Sequence, residues 1–386
     1  MTGSELLLAL DLAPEAVKSR LVQLENSHPI GRLFDMDVLD REGSPLSRTA
    51  LSAPRRRCLV CGQDAKLCAR SAAHSPEALQ SRIASLLDGY FRDRAADQFA
   101  SCACRALLYE VSVTPKPGLV DRHNAGSHTD MDFFSFLASA AALTPHLRDM
   151  FRTGWDLARE NIARLFGALR LVGLQAEDAM LRTTGGVNTH KGAIFSLGIA
   201  CASLGMGYGA PLRVHETLAR CGEMTGAQMR RELEAAKAGQ ARTFGEAIYQ
   251  KAGVGGVRAE AASGFASVRE IALPRLNAGL KAGLSLNDAA LCALTALMAD
   301  TQDTNAVRRG GEAGAAAMRE TARALDGEIA AALEAGEIKQ KIGQFKEKLT
   351  DWDGQMSAAG ISPGGCADLL AMALLMAFCE RDAAEG

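Results

Sequence analysis

Aromatic residues are scarce in this chain of 386 residues, 5% in all with two tryptophans and four tyrosines, which argues against a surface that stacks nucleic-acid bases. Neither charge is in surplus. Lys and Arg number 43 against 45 Asp and Glu, a net charge of −2, so no broad basic field exists to hold nucleic acid nonspecifically. No apolar run reaches the length of a membrane span. The opening "MTGSELLLALDLAPEA" has a short apolar stretch without basic residues before it, and reads as a strand and not as a signal peptide. Ten cysteines are present, but Cys201, Cys292 and Cys379 sit inside apolar helical stretches, as buried free thiols do. A reducing, cytoplasmic location is the expectation.

What remains is enough chain for two domains, with two textures. Up to about residue 75 the pattern reads as α/β or mostly β: "SRLVQLEN" and "GRLFDMDVLD" resemble short strands, with "REGSPLS" as a turn. Ser75-Pro76-Glu77 is a helix start, with a capping serine, proline at the first helical position and an acid facing the dipole. From there helices are predicted at 76–89, 93–112, 131–150, 152–172, 176–183, 192–204, 212–220, 225–238, 243–251, 286–300, 311–335, 338–348 and 365–380. The fold class expected is mainly α: an all-helical domain over 90–386, preceded by a small α/β segment over 1–80.

Polar groups concentrate where three of these helices begin or end. In "VTPKPGLVDRHNAGSHTDMDFF", residues 113–134, Pro115 and Pro117 hold Lys116 extended, since a residue before proline avoids the helical region. Asp121, His128 and Asp130 follow as ligands or acid/base groups, with Glu110 ending the preceding helix. In "RTTGGVNTHKGAIFSLGIA", residues 182–200, Gly185 and Gly186 precede Asn188, His190 and Lys191 at a helix N-terminus. A glycine turn, a lysine and free amides suit phosphate, although the same residues also serve to end one helix and cap the next. In "LMADTQDTNAVRRGG", residues 297–311, Asp300 and Asp303 stand three apart, about 5–6 Å on one helix face. Such a pair either brackets Mg²⁺ or is a solvated helix end with Asn305 and Arg308 beside it.

The N-terminal region carries two further patterns. On a strand Asp35 and Asp37 would face one way, about 6–7 Å apart, as a carboxylate pair for Mg²⁺ or as two solvent-facing acids. In "PRRRCLVCGQDAKLCARSAAHS", Cys58, Cys61, Cys68 and His74 offer the ligands of a structural Cys₃His zinc site, or are reduced thiols beside a histidine. Arg55, Arg56 and Arg57 suit phosphate, an acidic partner or a solvated turn.

"EVSVTPKPGLVDRHNAGSHTDMDFF", "TTGGVNTHKGAIFSLG", "MADTQDTNAVRRGG" and "SPGGCADLLAMALLM", in this order, resemble the signature segments of the triphosphoribosyl-dephospho-coenzyme A synthases, over about residues 95–382. The resemblance implies an all-helical enzyme. It would join the ribose of ATP to the 2′-hydroxyl of 3′-dephospho-coenzyme A and release adenine, making the prosthetic-group precursor of citrate lyase or malonate decarboxylase. That reaction suggests Lys116, Gly185, Gly186, Asn188, His190, Lys191 and Asn305 for ATP and its phosphates. Asp300 and Asp303 are then the Mg²⁺ candidates, and Glu110, Asp121, His128 and Asp130 the acid/base candidates. One segment departs from the pattern: where the family usually reads G-A-R-G-E, this chain has Val257 before Arg258 and Ala259 in place of the second glycine. An alanine there would crowd a ligand that approaches the backbone.

"HPIGRLFDMDV" and "RRRCLVCGQDAKLCARSAAH" resemble the C-terminal half of the phosphoribosyl-dephospho-coenzyme A transferases, also called holo-citrate-lyase acyl-carrier-protein synthases. Arg32, Asp35 and Asp37 carry the likeness, and the acyl carrier protein becomes the expected partner. The resemblance implies that the α/β segment is incomplete, starting about midway through that fold, so the segment is expected not to transfer the prosthetic group by itself. Two rival readings stand beside the synthase: a noncatalytic adaptor for the carrier protein, and a Mg²⁺-dependent helical hydrolase of ADP-ribosyl-type substrates.

Overall fold

The computed structural model describes residues 6–158, 162–239 and 244–385. It divides into two compact units, 1–95 and 96–386. Fourteen helices are found among the described residues: α1 (Pro14–Ser27), α2 (Ala65–Arg70), α3 (Pro76–Ser112), α4 (Phe133–Asp156), α5 (Ile162–Thr183), α6 (Lys191–Met206), α7 (Val214–Lys237), α8 (Phe244–Ala252), α9 (Gly256–Ala262), α10 (Leu273–Lys281), α11 (Leu286–Asp300), α12 (Thr304–Glu334), α13 (Ile338–Ala358) and α14 (Gly364–Glu385). No strand occurs among those residues, and the protein is all-helical.

The α/β reading of the N-terminal region is therefore corrected. Residues 19–26 lie in α1, which buries Lys18, Val22 and Glu25 at helical spacing. Glu25 is held by Arg56 at 2.5 Å and Arg48 at 3.1 Å, so this unit packs partly around a buried ion cluster. Residues 35–38 have no regular structure; their exposure alternates, with Val38 buried and Asp35 and Asp37 exposed, and they are flanked by a single isolated bridge and no ladder. The isolated bridges Leu39–Pro45 and Arg57–Asp64 are all the pairing present among described residues. The expected strand over residues 1–5 lies outside them, and residues 6–10 have no regular structure.

The helical unit is built around three helices that are apolar on every side. α6, α11 and α14 carry charge-free runs, and nearly every residue from Ala193 to Gly205 and from Ala289 to Ala299 is buried. A helix hydrophobic all round has no solvent face and takes the centre. α6 and α11 both pack on α14, while α4 covers α6. The α4–α6 crossing depends on glycine: a Cβ on Gly154 would stand 2.0 Å from the Ala202 carbonyl oxygen. Several boundaries differ from expectation. α4 continues through Pro145 to Asp156, and α5 and α7 are each one helix where two were predicted. The helix predicted over 311–335 begins at Thr304, with a break at Gly311 where the backbone turns to φ +67°. The helices α9 and α10, and a π-helical turn over Val268–Ala272, were not anticipated.

Candidate functional site

The ends of the central helices converge. The N-termini of α6, α12 and α14, the loop between α3 and α4, and the start of α9 surround a cavity of ≈ 600 Å³, a size ordinary for a small-molecule site. Its walls include Glu110, Lys116, His128, Asp130, Asn188, His190, Lys191, Asp300, Asp303 and Asn305. Three loops far apart in sequence thus share one space.

Each side chain has its own employment there. Lys116 is 1% exposed, and its ammonium donates to the Glu110 carbonyl at 2.8 Å and to the Glu110 carboxylate. Its charge is spent inside the wall and not offered outward. Burial pushes the Glu110 carboxyl above its usual range, Asp121 adds to that, and Lys116 pulls back. His128 accepts from Arg309 through Nδ1 at 3.0 Å, which leaves Nε2–H to donate to Ser362 Oγ at 3.0 Å. Burial, with Arg309 next, lowers its pKa to about 4, so the ring is neutral. Asp130 Oδ1 stands 3.8 Å from the same Nδ1 and is exposed. His190 is 3% exposed, packs edge-on against Phe136 and has its Nδ1 2.7 Å from Ser139 Oγ. Burial and the Lys116 charge lower its pKa to about 3.

Two helix starts share one carboxylate. Asp303 Oδ1 accepts from the Asn305 and Ala306 amides at 2.7 and 3.0 Å, and Oδ2 accepts from the Cys366 amide at 2.8 Å. It caps α12 and fastens the start of α14, and burial raises its pKa against those hydrogen bonds. The Cys366 thiol interacts with the same carboxylate. Asp300 is exposed at the rim. Lys191 lies on the wall with its Nζ 2.7 Å from Glu177, and Asn188 Oδ1 caps α6 at the Lys191 amide.

Two expected groups take other roles. Asp121 is buried but does not line the cavity; its oxygens accept from Thr114 Oγ1 and from the amides of Lys116, His123 and Asn124, which ties the loop together. Gly185 and Gly186 also lie off the cavity and end α5, with φ of +66° and +93° and the Gly186 amide on the Leu181 carbonyl. Conversely, two carboxyls that the motif reading passed over are in the wall. Glu260 accepts from Ser267 and is pushed up by burial; Asp368 approaches α6 so closely that a Cβ on Gly192 would stand 1.8 Å from its oxygen. Burial, Glu110 and Asp303 raise Asp368 well above the carboxylate range. Val257 and Ala259, the departures from the family pattern, also line the cavity, while Arg258 turns to Glu232 at 3.3 Å.

In the N-terminal unit the ligand-type atoms of Cys58, Cys61, Cys68 and His74 all lie within 4.8 Å of one another, an arrangement able to hold a metal ion. The Arg57–Asp64 bridge closes the knuckle, Gly62 turns it at φ +76°, and Asp64 caps α2, which presents Cys68. His74 Nε2 is buried and has no partner among the described residues. Amide donors from Cys61 and Val60 lower the Cys58 thiol to about 6. Arg32 donates to the Arg57 carbonyl beside this knuckle. Asp35 and Asp37 point to solvent, 3.9 Å from Arg56 and 4.0 Å from Lys18.

Residues 96–385 match the family described as ATP:dephospho-CoA triphosphoribosyl transferase. The chain belongs to that family. Residues 1–90 match the family of apo-citrate lyase phosphoribosyl-dephospho-CoA transferases. Relatives of this triphosphoribosyl transferase include protein CitXG of Haemophilus influenzae, 34% identical over 382 residues, 97% of this chain and 79% of that protein. The 2-(5''-triphosphoribosyl)-3'-dephosphocoenzyme-A synthase of Klebsiella pneumoniae is 39% identical over 280 residues, 72% of this chain and 89% of that protein. A probable synthase of the same name from Vibrio cholerae is 41% identical over 279 residues, covering 71% and 85%. No solved structure matches the transferase. No helix among the described residues is long and apolar enough to cross a membrane.

Proposed function

We propose that the cavity joins C1′ of the ATP ribose to the 2′-hydroxyl of 3′-dephospho-CoA, releasing adenine and keeping the triphosphate intact. In this step the C1′–N9 bond breaks with its electron pair passing to the purine. The hydroxyl oxygen bonds C1′ and its proton leaves to a base; the proton that adenine gains balances the one the hydroxyl loses. Asp130, exposed beside the neutral His128, is the proposed base.

The observation that carries this reading is that helix starts, basic groups and carboxyl groups line one cavity: Lys191, Arg308 and Arg309 stand there with Asp130 and Asp300, while Glu110, Glu260, Asp303 and Asp368 are pushed toward the protonated form by burial. The basic groups suit a triphosphate, and Asp300 and Asp303 are the proposed ligands of the Mg²⁺ that accompanies it. Lys191, Asn188 and Asn305 at the starts of α6 and α12 then suit its phosphates.

Incubation with ATP, Mg²⁺ and dephospho-CoA tests this. Adenine should appear only with all three, and a chelator should slow its release at least about 100-fold. No adenine would favour the adaptor, and ADP-ribose freed from modified substrates would favour the hydrolase.

The residues before about 80 form, in this proposal, a carrier-protein transferase segment that meets the citrate lyase acyl carrier protein. The synthase occupies the chain from about 90 onward, and the ten free thiols accord with a cytoplasmic location. Zinc is the ion proposed for the cysteine–histidine cluster, because three thiolates and an imidazole fill a tetrahedron and leave no open position. Elemental analysis should find stoichiometric zinc in the full chain and little in Cys68→Ser. A metal-free wild-type chain from zinc-replete cells would exclude the site.

A further inference from the structure

Ser139 belongs to α4, outside the polar loops, and its side chain is fully buried. Thr189 Oγ1 donates to its Oγ at 2.9 Å, and the same oxygen lies 2.7 Å from His190 Nδ1. A serine hydroxyl has a single proton. Were Oγ to accept from both neighbours, that proton would be buried without an acceptor among the contacts described, at a cost comparable to a lost hydrogen bond. Ser139 therefore donates to Nδ1, and the proton of the neutral imidazole sits on Nε2. On the opposite side of the ring, Nε2 is buried and lacks a partner among the described residues, and His190 belongs to the cavity wall.

We propose that His190 is a neutral hydrogen-bond donor whose Nε2–H, set by the Thr189–Ser139 hydroxyl pair, is offered to a ring nitrogen of the purine of ATP. Ser139 and Thr189 are positioning residues, and the inference rests on the reaction proposed above. The surroundings favour the base over a phosphate. Phe136 stands edge-on at 4.8 Å from the imidazole, and the ring is nearly closed to solvent. The charged groups near it are Lys116 with its partner Glu110, Asp368 against the first turn of α6, and Lys191, turned to Glu177. Lys116 opposes a second positive charge on the ring, so His190 does not become the cation that would pair with a phosphate. An uncharged N–H beside an aromatic edge suits a flat, uncharged heterocycle. As the C1′–N9 bond lengthens, the purine nitrogens gain electron density and the hydrogen bond strengthens in the transition state, while its proton stays on His190.

The test has two arms. Nitrogen-15 spectra of labelled protein without substrate, with His190 assigned through His190→Gln, should show Nε2 protonated and Nδ1 bare between roughly pH 5 and 8. Ser139→Ala should lose that single tautomer and Thr189→Ser should keep it. In the second arm, one of the two ATP analogues with purine nitrogen 3 or 7 replaced by carbon should lower kcat/KM of the wild type about 10- to 100-fold. Most of that penalty should vanish in Ser139→Ala, whose kcat with ATP should fall about 10-fold at nearly unchanged KM. A proton on Nδ1, or titration of His190 near the ordinary histidine value, would overturn the assignment. Equal analogue penalties in wild type and Ser139→Ala would overturn the contact with the purine while leaving the reaction standing. Absence of adenine release from ATP itself would remove the reaction, and the tautomer would still be decided by the first arm.

Discussion

Lys116→Met is expected to lower the stability of the protein by about 3–5 kcal/mol and to abolish adenine release. The ammonium is buried, as is its partner; their side chains are 1% and 5% exposed. Methionine fills much the same volume but leaves the Glu110 carboxylate without a cation, and Asp121 adds a like charge nearby. Glu110 escapes part of that cost by taking up a proton, which is the direction in which burial already pushes it. The double variant Glu110→Gln/Lys116→Met separates charge from shape. With no unpaired ion left, it should regain about 1–4 kcal/mol of what the single variant loses. Urea midpoints measure the stability and adenine release measures the chemistry. If the double variant recovers stability without activity, the pair takes part in the reaction. Recovery of both would make it a brace of the α3–α4 loop, and a wild-type midpoint for Lys116→Met would contradict the buried pair itself.

That ion pair also marks the limit of what the sequence discloses. Lys116 stands between two prolines in a loop crowded with polar groups, and this density pointed to the cavity. The burial of Glu110, six residues earlier, decides whether the lysine faces a ligand or its own wall, and burial depends on α6 and α14, far away in the chain. Asp368 and Glu260 were passed over for a related reason. Asp368 stands just before the charge-free run of α14, and its placement follows from the absence of a side chain at Gly192 on another helix. Ser139 and Thr189 carry no local signal, because a hydroxyl on a helix and another on a loop become a pair only after α4 packs on α6. By contrast, the central helices were legible, since runs without charge as long as those of α6, α11 and α14 cannot face water. The N-terminal region misled because α1 buries Lys18 and Glu25 along with Val22. Two of the three positions on its inner face are charged, so the 3.6-residue period is invisible to a search for apolar residues.

Asp303 lends itself to a sharper experiment because one side chain caps, bridges and is proposed to hold a metal. Asp303→Ala leaves three amides of α12 and α14 without their acceptor in a buried setting. A lost cap and an unsatisfied amide together cost about 3 kcal/mol, and adenine release should fall beyond detection as the helix starts lose their register. Asp303→Asn is more discriminating. Its amide oxygen can still receive the Asn305 and Ala306 amides, since asparagine caps helices well, while its NH₂ is turned toward the Cys366 amide, donor against donor. Stability should fall by only about 1–2 kcal/mol. If the carboxylate holds Mg²⁺, the concentration needed for half-maximal rate should rise at least about 10-fold in Asp303→Asn, the equivalent of one lost charged ligand. If Asp303 only caps, that concentration stays at the wild-type value while the urea midpoint still drops. Titration adds an independent check. The folded-state pKa is raised, so between the unfolded and folded values the native protein holds a proton that the unfolded chain has released. The stability that this proton contributes is present below the unfolded pKa and lost as pH rises through the folded one. Asparagine cannot titrate, and so the decline in stability with rising pH through that window should be shallower in Asp303→Asn than in the wild type, measured without Mg²⁺.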